Sequence, residues 1–160
     1  MRRPVLAVVV FLCLHVVLSA QVLISAKREQ ATQTQKAGPP LESAESAAFN
    51  VGKFPIGITF DGINIWVANG ESDSVTRLRT SDGAVLGNFN VGKAPGGVVF
   101  DGTNIWVTNE DSNNVMKLRG SDGAVLDTFT VGALPLQVTF DGKNIWVTNG
   151  RSESVSKLKR

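Results

Sequence analysis

The residues with the most chemical potential are charged side chains in three short polar segments, each of which follows the phrase IWVAN or IWVTN. The segments carry Glu71, Asp73, Glu110, Asp111, Arg151 and Glu153. Neighbouring carboxylates can act as general acid and base, or they can hold a divalent cation. Nothing in their spacing implies a pocket, and Asp61-Gly62-Ile63-Asn64 lacks the later acidic ligands of a calcium loop. The sequence therefore predicts no catalytic residue, no metal site and no cofactor.

The N-terminus has the layout of a secretory signal peptide. Arg2 and Arg3 precede an apolar run over residues 5–18, and Ser19 and Ala20 are small. We predict that residues 1–20 are removed and that the protein is exported to the periplasm, the cell envelope or the medium. The alternative is a retained anchor, because apolar residues resume at 22–24 and bring the run close to the length of a membrane helix.

Removing residues 1–20 would take away the chain's single cysteine and single histidine, Cys13 and His15, and the chain has no tyrosine. Within residues 21–160 this excludes disulfides, zinc sites of the Cys/His type and catalysis by an imidazole base. Loss of Arg2 and Arg3 leaves 14 basic against 14 acidic residues, a net charge of zero. Because the positive and negative charges balance, the sequence gives no indication that nucleic acid or an anionic membrane surface is a partner.

A forty-residue repeat must position the charged segments. The units begin at Phe49, Phe89 and Phe129, cover residues 49–88, 89–128 and 129–160, and the first two agree at 25 of 40 positions without a gap. A period near 40 is typical of repeat architectures. Several glycines, a proline and many β-branched residues in each unit argue against a helical solenoid.

Each full unit reads as four short strands joined by tight turns. In the first unit the predicted strands are 56–60, 65–68, 74–79 and 85–91. Four antiparallel strands per repeat describe one blade of a β-propeller. Blades stack face to face, so we expect Trp66, Trp106 and Trp146 to form the core between blades.

The predicted fold is therefore all-β, an incomplete β-propeller of about three four-stranded antiparallel blades over residues 47–160. Residues 21–46 form a polar linker, and the last blade lacks its fourth strand. Residues 47–52 match the end of a fourth strand. Two interpretations remain open: a fragment of a longer propeller, or a head-to-tail homodimer that completes a six-bladed ring.

The phrase FDGTNIWVTN, followed by SNNV, KLR and SDGAVL, resembles the YVTN family of β-propeller repeats, with tryptophan in place of the tyrosine. The resemblance covers residues 49–160 and implies the propeller fold rather than one function. More distantly the chain is similar to virginiamycin B lyase-like propellers. Those enzymes use a histidine base, and residues 21–160 offer none.

Differences between the repeats concentrate in two loops, which an up-and-down blade places on the same face. We expect this face to bind a protein or glycan partner, because variable loops on a rigid scaffold commonly carry recognition. The candidate residues are Lys53, Phe54, Glu71, Asp73, Lys93, Glu110, Asp111, Arg151 and Glu153. The sequence favours a non-catalytic binding protein, and contact with a membrane only through an uncleaved N-terminus. The alternative is a part or a degenerate copy of a lyase- or lactonase-like propeller enzyme.

Overall fold

The computed structural model describes residues 46–160, of which Ala48–Arg160 form one compact unit. This part of the chain contains eleven strands of six residues and no helix, and therefore no helix that could cross a membrane. The strands are β1 (Pro55–Phe60), β2 (Asn64–Asn69), β3 (Ser74–Arg79), β4 (Val85–Asn90), β5 (Pro95–Phe100), β6 (Asn104–Asn109), β7 (Asn114–Arg119), β8 (Val125–Thr130), β9 (Pro135–Phe140), β10 (Asn144–Asn149) and β11 (Ser154–Lys159). The predicted signal peptide and linker, residues 1–20 and 21–46, lie outside the described residues except for residue 46.

The strands form three antiparallel sheets with the orders β1-β2-β3-β4, β5-β6-β7-β8 and β9-β10-β11. We call these sheets blades 1, 2 and 3. The predicted all-β incomplete propeller is confirmed, including a last blade of three strands. The second strand is longer than predicted, because Asn64 and Asn69 pair with Arg79 and Ser74 across the hairpin.

An aspartate closes the turn between the first two strands of every blade. In blade 1, Oδ1 of Asp61 accepts hydrogen bonds from the N–H groups of Ile63 (2.8 Å) and Asn64 (2.6 Å). Its Oδ2 accepts one from the indole Nε1 of Trp66 at 2.7 Å. The same three bonds recur around the aspartates of blades 2 and 3. The constant phrase FDGxNIW therefore forms the predicted turn, in which the carboxylate accepts three hydrogen bonds.

The hydrophobic core lies between the blades. Trp66, Ala68 and Val75 on one face of blade 1 pack against Ile105 and other apolar residues of blade 2. The equivalent face of blade 2, with Trp106, packs in the same way against blade 3. A single sheet cannot bury its own apolar faces. Stacking of one blade on the next buries them and holds the three sheets together.

Two details correct the sequence-based expectations. Trp146 was expected in the core like the other tryptophans, but it is only partly buried, because the described residues provide no blade beyond blade 3 to cover it. Residues 47–52 were expected to match the end of a strand, but they form none. A strand needs a hydrogen-bonded neighbour, and β11, the edge that lacks one, belongs to the opposite end of the array.

Candidate binding face

Two loops of each blade lie side by side. The entry loops, residues 51–54, 91–94 and 131–134, lead into the first strand, and the hairpin loops, residues 70–73, 110–113 and 150–153, join the second and third strands. Backbone N–H groups of the hairpin loops donate to carbonyls of the entry loops at 2.8 Å, 3.0 Å and 2.8 Å in blades 1, 2 and 3. We call the surface formed by these six loops the loop face. All nine predicted binding residues belong to it.

The loop face has a constrained backbone. Among the described residues, every non-glycine residue with a positive φ lies there: Phe54, Asp73, Ala94, Asn113, Leu134 and Glu153, with φ between 47° and 56°. The left-handed region is unfavourable for most residues with a side chain, and Asn and Asp tolerate it best. Rigid surroundings must therefore hold these loops in place, since such strain persists only where neighbouring contacts over-determine it.

A serine at the same place in each hairpin loop contributes to that rigidity. The hydroxyls of Ser72, Ser112 and Ser152 accept hydrogen bonds from the third N–H of each entry loop, that of Lys53, Lys93 and Ala133, at 2.7 Å, 2.8 Å and 2.7 Å. Sequence analysis did not single out these serines. The sequence could have identified them, because each serine is constant within a hairpin loop that otherwise varies from repeat to repeat.

Two of the predicted binding residues are engaged with each other. The ammonium group of Lys93 lies 2.7 Å from Oδ2 of Asp73, and Oδ1 of Asp73 accepts the N–H of Ala94 at 3.0 Å. The hydrogen bond from Lys93 lowers the pKa of the Asp73 carboxyl, and the same contact raises the pKa of Lys93. This pair joins blade 1 to blade 2. At the next junction Asn113 accepts the N–H of Leu134 at 2.9 Å.

Glu110 is partly buried, like Asp73 and unlike the other predicted residues. Its carboxylate lies over Gly96, which has no side chain to displace it. Burial raises the pKa of Glu110, and the neighbouring charge of Asp111 raises it further. The remaining predicted residues are exposed: Lys53, Phe54, Glu71, Asp111, Arg151 and Glu153.

All five predicted carboxylates and all three predicted basic side chains lie on the loop face, so the predicted binding residues together carry a net negative charge. Within residues 46–160, no three His, Cys, Asp or Glu side chains come together as a group that could hold a metal ion. The arrangement presents separate carboxylates on a rigid backbone, which suits hydrogen bonding to a polar partner.

Comparisons with solved structures agree with this architecture. Virginiamycin B lyase from Staphylococcus aureus has a TM-score of 0.64 and 22% identity, covering 74% of this chain and 43% of its own. A streptogramin B lyase has a TM-score of 0.54 and 17% identity, covering 69% and 42%. Hydrazine synthase of Kuenenia stuttgartiensis has a TM-score of 0.58 and 22% identity, covering 77% and 40%.

The fold of the chain is thus similar to part of these solved structures. The chain spans about two fifths of the length of these solved structures. No family model matches the sequence, and no curated protein matches it. At identities below 25% the likeness shows the fold alone, because one propeller scaffold hosts many unrelated chemistries.

Proposed function

We propose that this protein is an exported, non-catalytic β-propeller repeat protein of the YVTN type that binds a protein or glycan partner through the loop face. One observation carries the proposal. Five of the eight positions in the loops of this face vary among the three repeats, yet those loops share one hydrogen-bonded backbone in all three blades. A constant frame that displays different side chains is the arrangement by which rigid scaffolds acquire specificity.

The charges of the loop face favour a partner rich in hydrogen-bond donors. Glu71 and Asp111 are exposed carboxylates with no ion-pair partner among residues 46–160. Carboxylates accept charge-assisted hydrogen bonds from sugar hydroxyls, from backbone N–H groups and from basic side chains. A glycan or a basic segment of a protein offers such donors.

The second candidate is a part or a degenerate copy of a lyase- or lactonase-like propeller enzyme. The observation in its favour is that two of the similar solved structures are named as lyases. The residue types of this chain favour binding instead, because residues 21–160 contain neither histidine nor cysteine to serve as base or nucleophile.

Asp111→Asn is expected to weaken binding to the partner about 10- to 100-fold, the effect of losing one hydrogen bond to a charged group. The fluorescently labelled protein would be screened on printed arrays of glycans and of basic peptides, and affinities for the best ligand would then be measured by interferometry. Asp127→Asn is the matched control, since Asp127 is also exposed but lies on β8, away from the loop face.

Two results would contradict the proposal. One is a ligand whose affinity is unchanged by Asp111→Asn but reduced by Asp127→Asn. The other is the absence of saturable binding to any array member together with turnover of a lactone or streptogramin substrate by the purified protein, which would support the enzyme interpretation.

A further inference from the structure

We propose that two copies of this chain join head to tail into a closed ring of six blades, in which blade 3 of each copy stacks on blade 1 of the other. This inference does not depend on what the loop face binds. It concerns the two uncovered ends of the array. The leading face is the outer side of blade 1, with Ile58, Phe60 and Ile65, and the trailing face is the outer side of blade 3, with Trp146 and Val155.

The internal junctions show what each end face lacks. Ile58 on the leading face is 68% exposed, whereas Val98, its equivalent in blade 2, is 8% exposed under blade 1. Val155 on the trailing face is 59% exposed, whereas Val75 and Val115 in the same position are fully buried by the blade that follows them. Each end therefore presents one half of a contact that the chain makes twice internally, and contiguous exposed apolar surface of this kind marks an interaction site.

The N-terminal segment is already placed to supply the missing fourth strand of a second copy. The ring of Phe49 lies against Gly83 of blade 1, as the ring of Phe89 in β4 lies against Gly123 of blade 2. Phe89 also packs on Trp66 of its own blade, with ring centroids 5.3 Å apart. Half of Phe49 is exposed.

In the proposed ring that exposed half packs on Trp146 of the other copy, and the segment around Phe49 pairs with β11. In blades 1 and 2 the third strand pairs with the fourth at the equivalent position, where Val75 is opposite Phe89. The unpaired edge of β11 would thus be covered by the chain segment that already occupies the fourth-strand position ahead of blade 1.

Charge complementarity supports the same register. At the first internal junction Asp73 pairs with Lys93, and at the second the equivalent residues are the neutral Asn113 and Ala133. At the proposed junction the equivalent residues are Glu153 and Lys53, again an acid opposite a lysine. Two surfaces that do not meet would not be expected to repeat the acid–lysine pairing of the first internal junction.

Gln137 is the one departure from the internal pattern. Gly57 and Gly97, its equivalents, approach the backbone of the following blade so closely that an added Cβ would meet a carbonyl oxygen. The Cβ of Gln137 cannot rotate away from such a contact, so the two backbones must lie further apart at the proposed junction, and the inner edge is looser there. We expect a dimer that dissociates on dilution, and we expect Gln137→Gly to lower its dissociation constant.

Blade number is consistent with a ring of two copies. The described residues form three blades, fewer than the four to eight that propellers usually hold, and six fall within that range. A head-to-tail contact between identical units forms a closed ring when the rotation per unit fits, and an open filament when it does not.

The first experiment is the mass of the protein in solution. The full sequence would be expressed with its own N-terminus and purified in the form the host yields, with intact mass recording whether residues 1–20 are present. Light scattering between 1 and 100 µM, about the range of transient dimers, is expected to show a monomer–dimer equilibrium. A monomer at every concentration, or a ladder of longer oligomers, would overturn the closed ring.

The second experiment assigns the faces. Val155→Glu and Ile58→Glu each place a charge in the proposed junction and should each give a monomer. Mixed in equal amounts they should form dimers again, since one of the two junctions is then intact, although with weaker affinity than the parent. Val125→Glu is the matched control, because Val125 is 49% exposed in a blade with neighbours on both sides and should leave the dimer unchanged.

The third experiment tests the register. Lys53→Glu and Glu153→Lys should each raise the dissociation constant, and the double variant Lys53→Glu/Glu153→Lys should restore it. An isologous dimer, in which like faces meet, would fail the mixing test, since one of the two single-face variants would remain dimeric alone. If neither Val155→Glu nor Ile58→Glu alters the mass of a dimeric parent, the interface lies elsewhere and the proposal is wrong.

Discussion

Trp106→Ala is expected to lower the free energy of unfolding by about 3–5 kcal/mol, the usual cost of truncating a buried tryptophan. The indole is fully buried and packs on Ile145 and Val147 of blade 3, with the ring of Phe129 at 5.3 Å. It also donates to Asp101 at 2.7 Å. Alanine would leave a cavity between two blades and would remove one donor from a buried carboxylate. Urea unfolding followed by circular dichroism measures the loss.

The matched control is Trp146→Ala, the same change at the equivalent position of blade 3. Trp146 is partly exposed, and the ammonium group of Lys157 lies 4.9 Å from its ring centroid, as that of Lys117 lies 5.0 Å from the ring of Trp106. We expect a smaller loss, about 1–2 kcal/mol, since Trp146 buries less area and no second blade packs on its ring in the described residues. Both changes should be made in the Val155→Glu background, so that no second copy covers Trp146. Equal losses for the two variants would contradict the role assigned to stacking.

Asp101→Asn is expected to lower the free energy of unfolding by about 1.5–3 kcal/mol at neutral pH, because the bonds it disturbs are hydrogen bonds to a charged group. Asp101 is 1% exposed, and its two oxygens accept from Thr103, Asn104 and Trp106, with Arg160 at 3.4 Å. Asparagine has a single carbonyl oxygen, so at least one of these donors would face an NH₂ group.

The same substitution should reduce the protein's sensitivity to acid. Burial alone would raise the pKa of Asp101, but the hydrogen bonds from Trp106 and the turn backbone, with the charge of Arg160, hold the pKa below its ordinary value. A carboxyl with a lowered folded pKa stabilises the fold above its unfolded pKa of about 3.9, and that contribution is lost as the pH falls through the folded pKa.

Urea unfolding at pH 7 and at pH 3 should therefore show a smaller acid-induced loss for Asp101→Asn than for the parent. Some loss will remain, because the pKa values of Asp61 and Asp141 are lowered by the same kind of turn. Asp141→Asn is the comparison, and its loss of stability at pH 7 should be smaller than that of Asp101→Asn because Asp141 is exposed. If both variants keep the pH dependence of the parent, the turn carboxylates do not carry it.

The repeat made the fold predictable from the sequence, because one phrase that recurs every forty residues must serve one structural purpose three times. Ile65-Trp66-Val67 is apolar without alternation, and such a strand needs burial on both faces, which stacked sheets provide. The strand ends were less predictable. Asn64 and Asn69 look like turn residues, yet both pair in the ladder with residues of the next strand.

The loop face could be predicted as a location but not as a set of contacts. Comparison of the repeats showed where side chains vary, and up-and-down topology placed both loops on one side. Whether a charged side chain forms an ion pair depends on distances in the folded structure, and the sequence pattern does not contain them. Asp73 and Lys93 are twenty residues apart and meet only because blades 1 and 2 stack. Trp146 shares its sequence context with Trp66, but among the described residues no blade covers it.

The central claim is that stacking of one blade on the next provides the burial that holds the sheets. Hydrogen exchange of the three indole N–H groups tests it most directly, measured by NMR on the ¹⁵N-labelled Val155→Glu variant. Trp66 and Trp106, both fully buried, should exchange slowly, whereas Trp146 should exchange much faster despite its own bond to an aspartate. Three indoles that exchange alike, at the rate of an unstructured peptide, would contradict the account.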